Sequence, residues 1–419
     1  MRFHRESFRP SVALLTLLIA GCAISNNPAT PGVAAAVAAG ATKSSSEVVL
    51  VRFRSRTYRA DLASPLTPDG AGNYYGTTLD GGHGFGTLYE LSPKGKGRWH
   101  ESVLHTFEDY LDGGYPGVTP LILDRHGDVY GTAYNGGRNE LGVAFRFHRT
   151  ASGWVENVLH DFGNGDAYPF DSLIMGPGGN LYGTDNIYHD GGAITEGVYE
   201  IRPSRGAWEY KIIWDQGVDA ANGGSGGLVL DARGNIFGVS SGFLEPAVVF
   251  ELKPAKHGWS PVILYTFQDV GVYPDGAPVL DRAGNIYGTT AAGGSRKQGT
   301  IYKLSPSKGR PWKLKTLYGF NGGADGSEPF AGVTFDASGN IYGTTLKGGT
   351  SNFGTVYELT AGSHNEKLLW SFDGKDGSEP FAPVVLDRSG NLFGTTTSGG
   401  GGKHCYGAEG CGNAFEIAR

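Results

Sequence analysis

The sequence predicts an all-β chain folded as a seven-bladed β-propeller. Three observations carry that reading: an excess of glycine, one phrase repeated seven times, and chain ends that complement each other. Glycine fills 70 of 419 positions, against a usual share of about 7%. Such density supplies φ-permissive turns over and over, and without a strict third-residue period the chain is no collagen. The 21 tyrosines, 21 phenylalanines and seven tryptophans are too many for a chain that never folds. So frequent a glycine leaves few windows for long helices. A net charge of −6 gives no electrostatic footprint for nucleic acid.

Residues 1–21 read as a signal peptide, set aside before fold reasoning. Arg2, Arg5 and Arg9 make a basic start, and Val12 to Ala20 form a short apolar stretch, about half the ~20 residues of a membrane span. It ends in Ile19-Ala20-Gly21-Cys22, which resembles the lipobox of bacterial lipoproteins. That resemblance implies cleavage before Cys22 and acylation of it, giving more chains than the one that binds only marginally. The alternative is an ordinary secretory signal with a chance cysteine. Ala23 rather than Asp follows, which in Gram-negative lipoproteins implies the outer membrane, facing the periplasm or the exterior. Residues 22–46 are then the acylated Cys22 and a tether mostly of Ala, Ser, Asn, Thr, Pro and Gly with one lysine, a composition unable to bury a core.

Residues 47–419 carry the repeat: Gly-Asn-aromatic-Gly-Thr-Thr, a Gly-Gly pair, then Gly-Thr-hydrophobic-aromatic-Glu-Leu. The glycine after the aromatic falls at Gly76, Gly131, Gly183, Gly238, Gly288, Gly343 and Gly394. One copy reads as four strands. Pro278 to Asp281 is the first, Ile286 to Thr290 the second, Gly299 to Leu304 the third, and Trp312 to Phe320 the fourth. The turn Asp281-Arg282-Ala283-Gly284-Asn285 has a mechanism: Asp accepts backbone N–H bonds and Gly takes the positive φ. Equivalent turns stand at Asp124, Asp231, Asp336 and Asp387. Four antiparallel strands repeated seven times describe a propeller. A solenoid would need two polar caps. Here the last copy stops after its third strand, at Ile417, while Leu50-Val51-Arg52-Phe53 matches the fourth-strand ends Leu104 to Phe107, Leu264 to Phe267 and Leu369 to Phe372. The N-terminal strand should complete the seventh blade.

The phrase Asn340-Ile341-Tyr342-Gly343-Thr344-Thr345, Gly348-Gly349, Gly354-Thr355-Val356-Tyr357-Glu358-Leu359 resembles the GloVer-type repeat of choice-of-anchor tandem repeat proteins, bacterial exported proteins. The resemblance spans about residues 47–419 and departs at Gly238-Val239-Ser240-Ser241-Gly242. It implies export and surface anchoring, and supplies no catalytic residues.

The departing copy spells G-x-S-x-G, but where its sisters carry a strand rather than the strand-turn-helix a nucleophile elbow needs, so Ser240 reads as a degenerate repeat. No H-E-x-x-H, Walker or EF-hand motif is present; no catalytic or metal-ligating set is assigned. His105 and His160 share a repeat position and read as surface residues. Cys405 and Cys411 lie in one loop; in an exported protein they are expected to form a disulfide, with metal binding alongside His404 as the alternative. Both longer, glycine-rich connections of each blade fall on one face, where loop variation places binding. That face gathers Asp112, Tyr115, Asp166, Tyr168, Tyr273, Asp275, Asp325, Glu328, Asp376 and Glu379. These are the candidate binding residues, suited to a sugar, a cationic peptide or Ca²⁺; otherwise Asp-Gly makes turns and the aromatics pack between blades. The expectation is a monomeric, non-catalytic binding or scaffold module of the cell envelope, with a glycan or an envelope protein as partner and no cofactor. The rival is a polysaccharide- or lactone-directed lyase or hydrolase at the channel mouth.

Overall fold

The computed structural model describes residues 46–53, 64–108, 112–117, 120–163, 165–169, 173–189, 194–219, 224–241, 246–268, 272–307, 311–401 and 410–419. The signal, Cys22, the tether up to residue 45 and Cys405 lie outside the described residues, and Ser46, placed in the tether by the sequence, opens a strand. All described residues belong to one compact unit, Ser44–Arg419. Among them no helix is long and apolar enough to cross a membrane.

Seven antiparallel sheets form a ring, a seven-bladed β-propeller. Blades 1 to 6 span residues 67–106, 122–161, 174–219, 224–266, 279–319 and 334–371. Blade 7 takes Val385–Leu386, Leu392–Thr395 and Asn413–Ala418, then borrows Ser46–Arg52 from the other end of the chain. That strand runs antiparallel to the last one, from Ser46 opposite Ala418 to Arg52 opposite Asn413. In blade 5 the second strand, Ile286–Thr290, is buried throughout, while the fourth, Lys313–Gly319, is largely exposed. The fourth strand is thus the outer rim, and the short, half-buried Val279–Leu280 faces the channel.

The turns between first and second strands work as their residues dictate. Asp281 Oδ1 accepts the N–H groups of Ala283 and Asn285, each at 2.9 Å, and Oδ2 accepts Asn285 Nδ2 at 2.7 Å. Burial alone would raise this carboxyl; the hydrogen bonds from Asn285, Tyr287 and Ala283 outweigh it and hold the carboxyl below its ordinary value. In blade 2 Asp128 stands in the asparagine's place and cannot donate, so Arg146 pairs with it instead (Nε to Oδ2 2.9 Å). Blade 3 has Gly176 where the aspartate belongs, and a 3-10 turn, Pro177–Gly179, substitutes.

The repeated glycine of the second strand has a steric cause. In every blade it lies directly opposite a third-strand aromatic, as Gly343 lies opposite Tyr357 and Gly394 opposite Phe415. A Cβ at the seven glycines would fall 2.3–2.7 Å from that ring. The ring lies across the glycine and meets an aromatic from the end of the previous blade's fourth strand. The seven pairs are Phe53–Tyr89, Phe107–Phe145, Phe162–Tyr199, Trp214–Phe250, Phe267–Tyr302, Phe320–Tyr357 and Phe372–Phe415, with centroids 4.5–5.5 Å apart. Each such contact is worth about 0.5–1.5 kcal/mol beyond its buried area. Threonines of the second strand add hydrogen bonds to the next blade: Thr77 to Gly117 O, Thr289 to Ala331 O, Thr344 to Ala382 O. Thr395 of blade 7 reaches Ser64 O at 3.2 Å, ahead of blade 1. The ring is closed by the contacts that join its other blades.

Candidate functional site

On the loop-rich face the candidate aspartates share one arrangement. A fourth-strand side chain holds each: His105 Nε2 is 2.8 Å from Asp112 Oδ2 and His160 Nε2 2.6 Å from Asp166 Oδ2. Tyr318 Oη donates to Asp325 Oδ2 and Trp370 Nε1 to Asp376 Oδ2, both at 2.9 Å. The same carboxylates accept loop N–H groups, from Glu108, Gly163, Asn321 and Asp373. These four aspartates are loop clasps, in the connections that follow blades 1, 2, 5 and 6. A Ca²⁺ ion wants six to eight oxygens, whereas each clasp sets one aspartate against a His, Tyr or Trp side chain.

Tyr115, Tyr168, Tyr273, Glu328 and Glu379 also share a geometry, with φ of 48–57°. A non-glycine residue adopts this left-handed backbone at a cost of roughly 1–2 kcal/mol. What offsets it is a stitch to the preceding blade: Tyr115 N donates to Phe85 O and Tyr168 N to Leu141 O, both at 2.8 Å, and Glu328 N to Gln298 O at 3.0 Å. The proline that follows packs on the previous blade's strand-entry glycine. A Cβ at Gly86, Gly142, Gly299 or Gly354 would meet Pro116, Pro169, Pro329 or Pro380 at 2.4–2.6 Å. The five side chains are half-buried, tyrosine before blades 2, 3 and 5 and glutamate before blades 6 and 7. Lys347 Nζ lies 3.0 Å from Glu328 Oε1, and Ser398 Oγ donates to Glu379 Oε2 at 3.3 Å. The Asp275 carbonyl lies against Gly226 of blade 4, where a Cβ would come within 2.8 Å.

Above blades 2 and 3 the face carries a tyrosine platform that the repeat phrase did not reveal. Tyr134 stacks on Tyr168 at 4.9 Å, and Tyr188 meets Tyr168 edge-on at 6.4 Å. Tyr188 is 41% exposed. The available signal was an aromatic out of place: Tyr134 stands where sister copies have Leu79, Ala291 and Leu346. In the same blades His160 stacks on Tyr210 at 4.1 Å, nearly parallel. Tyr210 Oη donates to Asp185 Oδ2 at 2.6 Å. Burial, with the charge of Asp166 adding to it, pushes the Asp185 carboxyl well above the carboxylate range against the pull of the Tyr210 bond. Sister copies have threonine at this position, as at Thr290 and Thr345.

The repeat lapses between blades 3 and 4. Glu196 replaces the strand-entry glycine, and no proline follows in the next connection. Its carboxylate occupies the junction instead: Ser240 Oγ donates to Glu196 Oε2 at 2.7 Å and accepts Gln216 Nε2 at 2.6 Å. Ser240 lies within the strand Ile236–Ser241, 4% exposed, with a carboxylate rather than an imidazole beside it. It is a junction residue and no nucleophile elbow. A groove of about 940 Å³ opens on the opposite face between blades 4 and 5, around Asp231, Asp281 and Trp312, where both aspartates already tie their own turns. Cys411 is fully buried beside Leu50, Phe53 and Ala414.

Known structures give low-level likenesses. A puromycin hydrolase is 10% identical with a TM-score of 0.47; this chain is covered over 81% of its length and spans 58% of the hydrolase chain. A putative oxidoreductase (glucose dehydrogenase) from Thermus thermophilus is 14% identical, TM-score 0.44, covering 89% of this chain and all of its own. An ulvan lyase bound to its oligosaccharide is 13% identical, TM-score 0.44, covering 75% and 79%. Such likenesses carry nothing about activity. No curated protein matches in sequence. The sequence model of the Gloeobacter/Verrucomicrobia repeat matches residues 39–245 and 245–408, nearly the whole span over which glycine, third-strand aromatic and fourth-strand aromatic recur, and the chain belongs to that repeat family.

Proposed function

We propose that this protein is a non-catalytic binding module of the bacterial cell envelope, and that its ligand is a carbohydrate laid on the tyrosine platform of blades 2 and 3. The observation that carries the reading is the platform itself: three tyrosines from two blades and the loop between them, partly exposed, on a rigid ring. Aromatic faces offer apolar area with a polar tip, and a few placed polar groups beside them give orientation. The aspartates that clasp Tyr318 and Trp370 hold the connections of this face in place, which supports a preorganised binding face. In this reading Cys22 is acylated, residues 23–46 tether a monomeric propeller to the outer membrane, and a Cys405–Cys411 disulfide closes the last blade's long loop. An envelope protein in place of a glycan is one outcome of the test.

Oligosaccharides from envelope and matrix polysaccharides, titrated calorimetrically into the protein, should bind at micromolar to millimolar dissociation constants. Tyr188→Ala and Tyr134→Ala should weaken binding about tenfold with the fold intact, since stacking on one aromatic is worth about 0.5–1.5 kcal/mol or more. Binding unchanged in both variants, or none to any glycan, would defeat the proposal. One observation favours a lyase or hydrolase: Asp185, a buried acid whose carboxyl burial raises well above its ordinary value, with Tyr210 on it. Turnover of any polysaccharide that Asp185→Asn abolishes would establish that second reading.

A further inference from the structure

At the outer rim between blades 1 and 2, three side chains from three segments converge: His105 from the fourth strand of blade 1, Asp112 from the connection, and Glu156 from the fourth strand of blade 2. Their ligating atoms all lie within 4.8 Å of one another. His105 Nε2 is 2.8 Å from Asp112 Oδ2 and 3.9 Å from Glu156 Oε2. A first-row divalent ion with ligands at about 2.0–2.2 Å separates its donors by roughly 3.4 Å, within the spread observed.

We propose that His105, Asp112 and Glu156 form a site for a divalent transition-metal ion of the zinc class, closed by water. The first support is orientation. Asp112 turns its other oxygen, Oδ1, to the Glu108 N–H at 2.8 Å, which fixes Oδ2 toward the imidazole. The His105 ring is wedged between Phe107 and Phe147, centroids 4.9 and 4.8 Å away. The second support is an unmet requirement: Glu156 Oε1 is buried and has no hydrogen-bond partner. A buried carboxylate oxygen without a donor costs free energy, and a cation bound by the Glu156 carboxylate would offset that cost. The third is the contrast with sister junctions. A fourth-strand glutamate faces the loop aspartate elsewhere too, as Glu366 faces Asp325 and Glu47 faces Asp376. The third member there is Tyr318 or Trp370, neither of which ligates zinc. His160 of blade 2 has Tyr210 against it where a carboxylate would be needed. Only at this described junction do imidazole and two carboxylates meet. One nitrogen and two oxygens suit Zn²⁺, Co²⁺ or Mn²⁺ over Ca²⁺. Bound there, the ion would pin the outer strands of adjacent blades to the loop between them.

Chelator-treated protein titrated with Zn²⁺ and with Co²⁺ tests this. Expected are one equivalent bound with a micromolar or tighter dissociation constant, a higher melting temperature, and cobalt d–d absorption of a mixed nitrogen–oxygen site. His105→Tyr is the decisive variant. It places at the junction the phenol that Tyr318 uses to hold Asp325, so the clasp and fold are kept while the imidazole is lost; Glu156→Gln removes an anionic ligand at nearly constant shape. Both should weaken Zn²⁺ at least a hundredfold and abolish the metal-dependent rise in melting temperature. No saturable binding to wild type at 100 µM metal, or undiminished binding to His105→Tyr, overturns the proposal.

Discussion

The residue that best explains the repeat is the third-strand aromatic, and it differs among blades in a way that can be measured. Tyrosine occupies the place at Tyr89, Tyr199, Tyr302 and Tyr357, phenylalanine at Phe145, Phe250 and Phe415. Both rings cover the glycine equally, so the hydroxyl is the only difference. Tyr302 is fully buried, its hydroxyl has no hydrogen-bond partner, and burial alone pushes its pKa above the ordinary tyrosine value. Leaving a buried hydroxyl unmet costs about 1–3 kcal/mol. Tyr302→Phe should therefore stabilise the protein by about 1 kcal/mol, read as a higher denaturant midpoint at unchanged slope; a loss of stability would mean that the hydroxyl has found a partner. The sequence made the glycine legible as a structural residue, because its spacing is regular. Its cause was not legible: that Tyr302 lies over Gly288 depends on a strand register, and that Phe267 meets Tyr302 depends on the previous blade.

Among elements, the informative one is the fourth strand with the connection that leaves it. The sequence marked Asp325 and Asp376 as candidates for binding, and the strand residues that hold them explain why they recur. A turn aspartate looks the same in sequence whether it awaits a ligand or already holds Tyr318. The glutamates of this strand escaped notice for a related reason: Glu366 reads as a polar residue on an exposed strand, yet its neighbour across the junction is the Asp325 clasp. Burial first, then the Asp325 charge, raise the Glu366 carboxyl to about 7; burial, then Asp376, raise Glu47 to about 7 against the pull of Arg52. A group whose folded pKa lies above its unfolded value binds more protons in the native state. Stability then falls as pH rises from about 4.5 through 7 and levels beyond. Glu366→Gln removes that loss. Melting temperatures of wild type and variant should agree near pH 4 and diverge above pH 6, the variant higher; parallel curves over pH 4–8 would refute the argument.

The propeller is a closed circle of junctions, and its first and last described strands meet inside one blade. This was legible at the sequence level because a missing fourth strand at Ile417 and a surplus one at Leu50 are complementary. The tyrosine platform and the Glu196–Ser240 junction were not, since each joins residues from different copies. Closure makes a quantitative claim about Phe53. Phe53 is the last described residue of the N-terminal segment, buried against Tyr89 at 5.2 Å, just as Phe372 is buried against Phe415 at 5.2 Å in the interior of the chain. In an open solenoid the terminal repeat frays by itself, and a terminal truncation costs little. In a ring the two positions are equivalent, because losing either opens a junction that its neighbours on both sides depend on. Phe→Ala in a packed core costs about 3–5 kcal/mol, so Phe53→Ala and Phe372→Ala should lower stability by similar amounts, each through a single cooperative transition. Removing residues 46–53 should cost more than Phe53→Ala, because it also strips six paired positions from the strand Asn413–Ala418 and bares a sheet edge. Equilibrium denaturation of the three variants decides it. If Phe53→Ala costs under a third of what Phe372→Ala costs, the N-terminal strand is an appendage and the six remaining junctions hold the blades by themselves; equal costs mean that the seventh junction bears the same load as the rest.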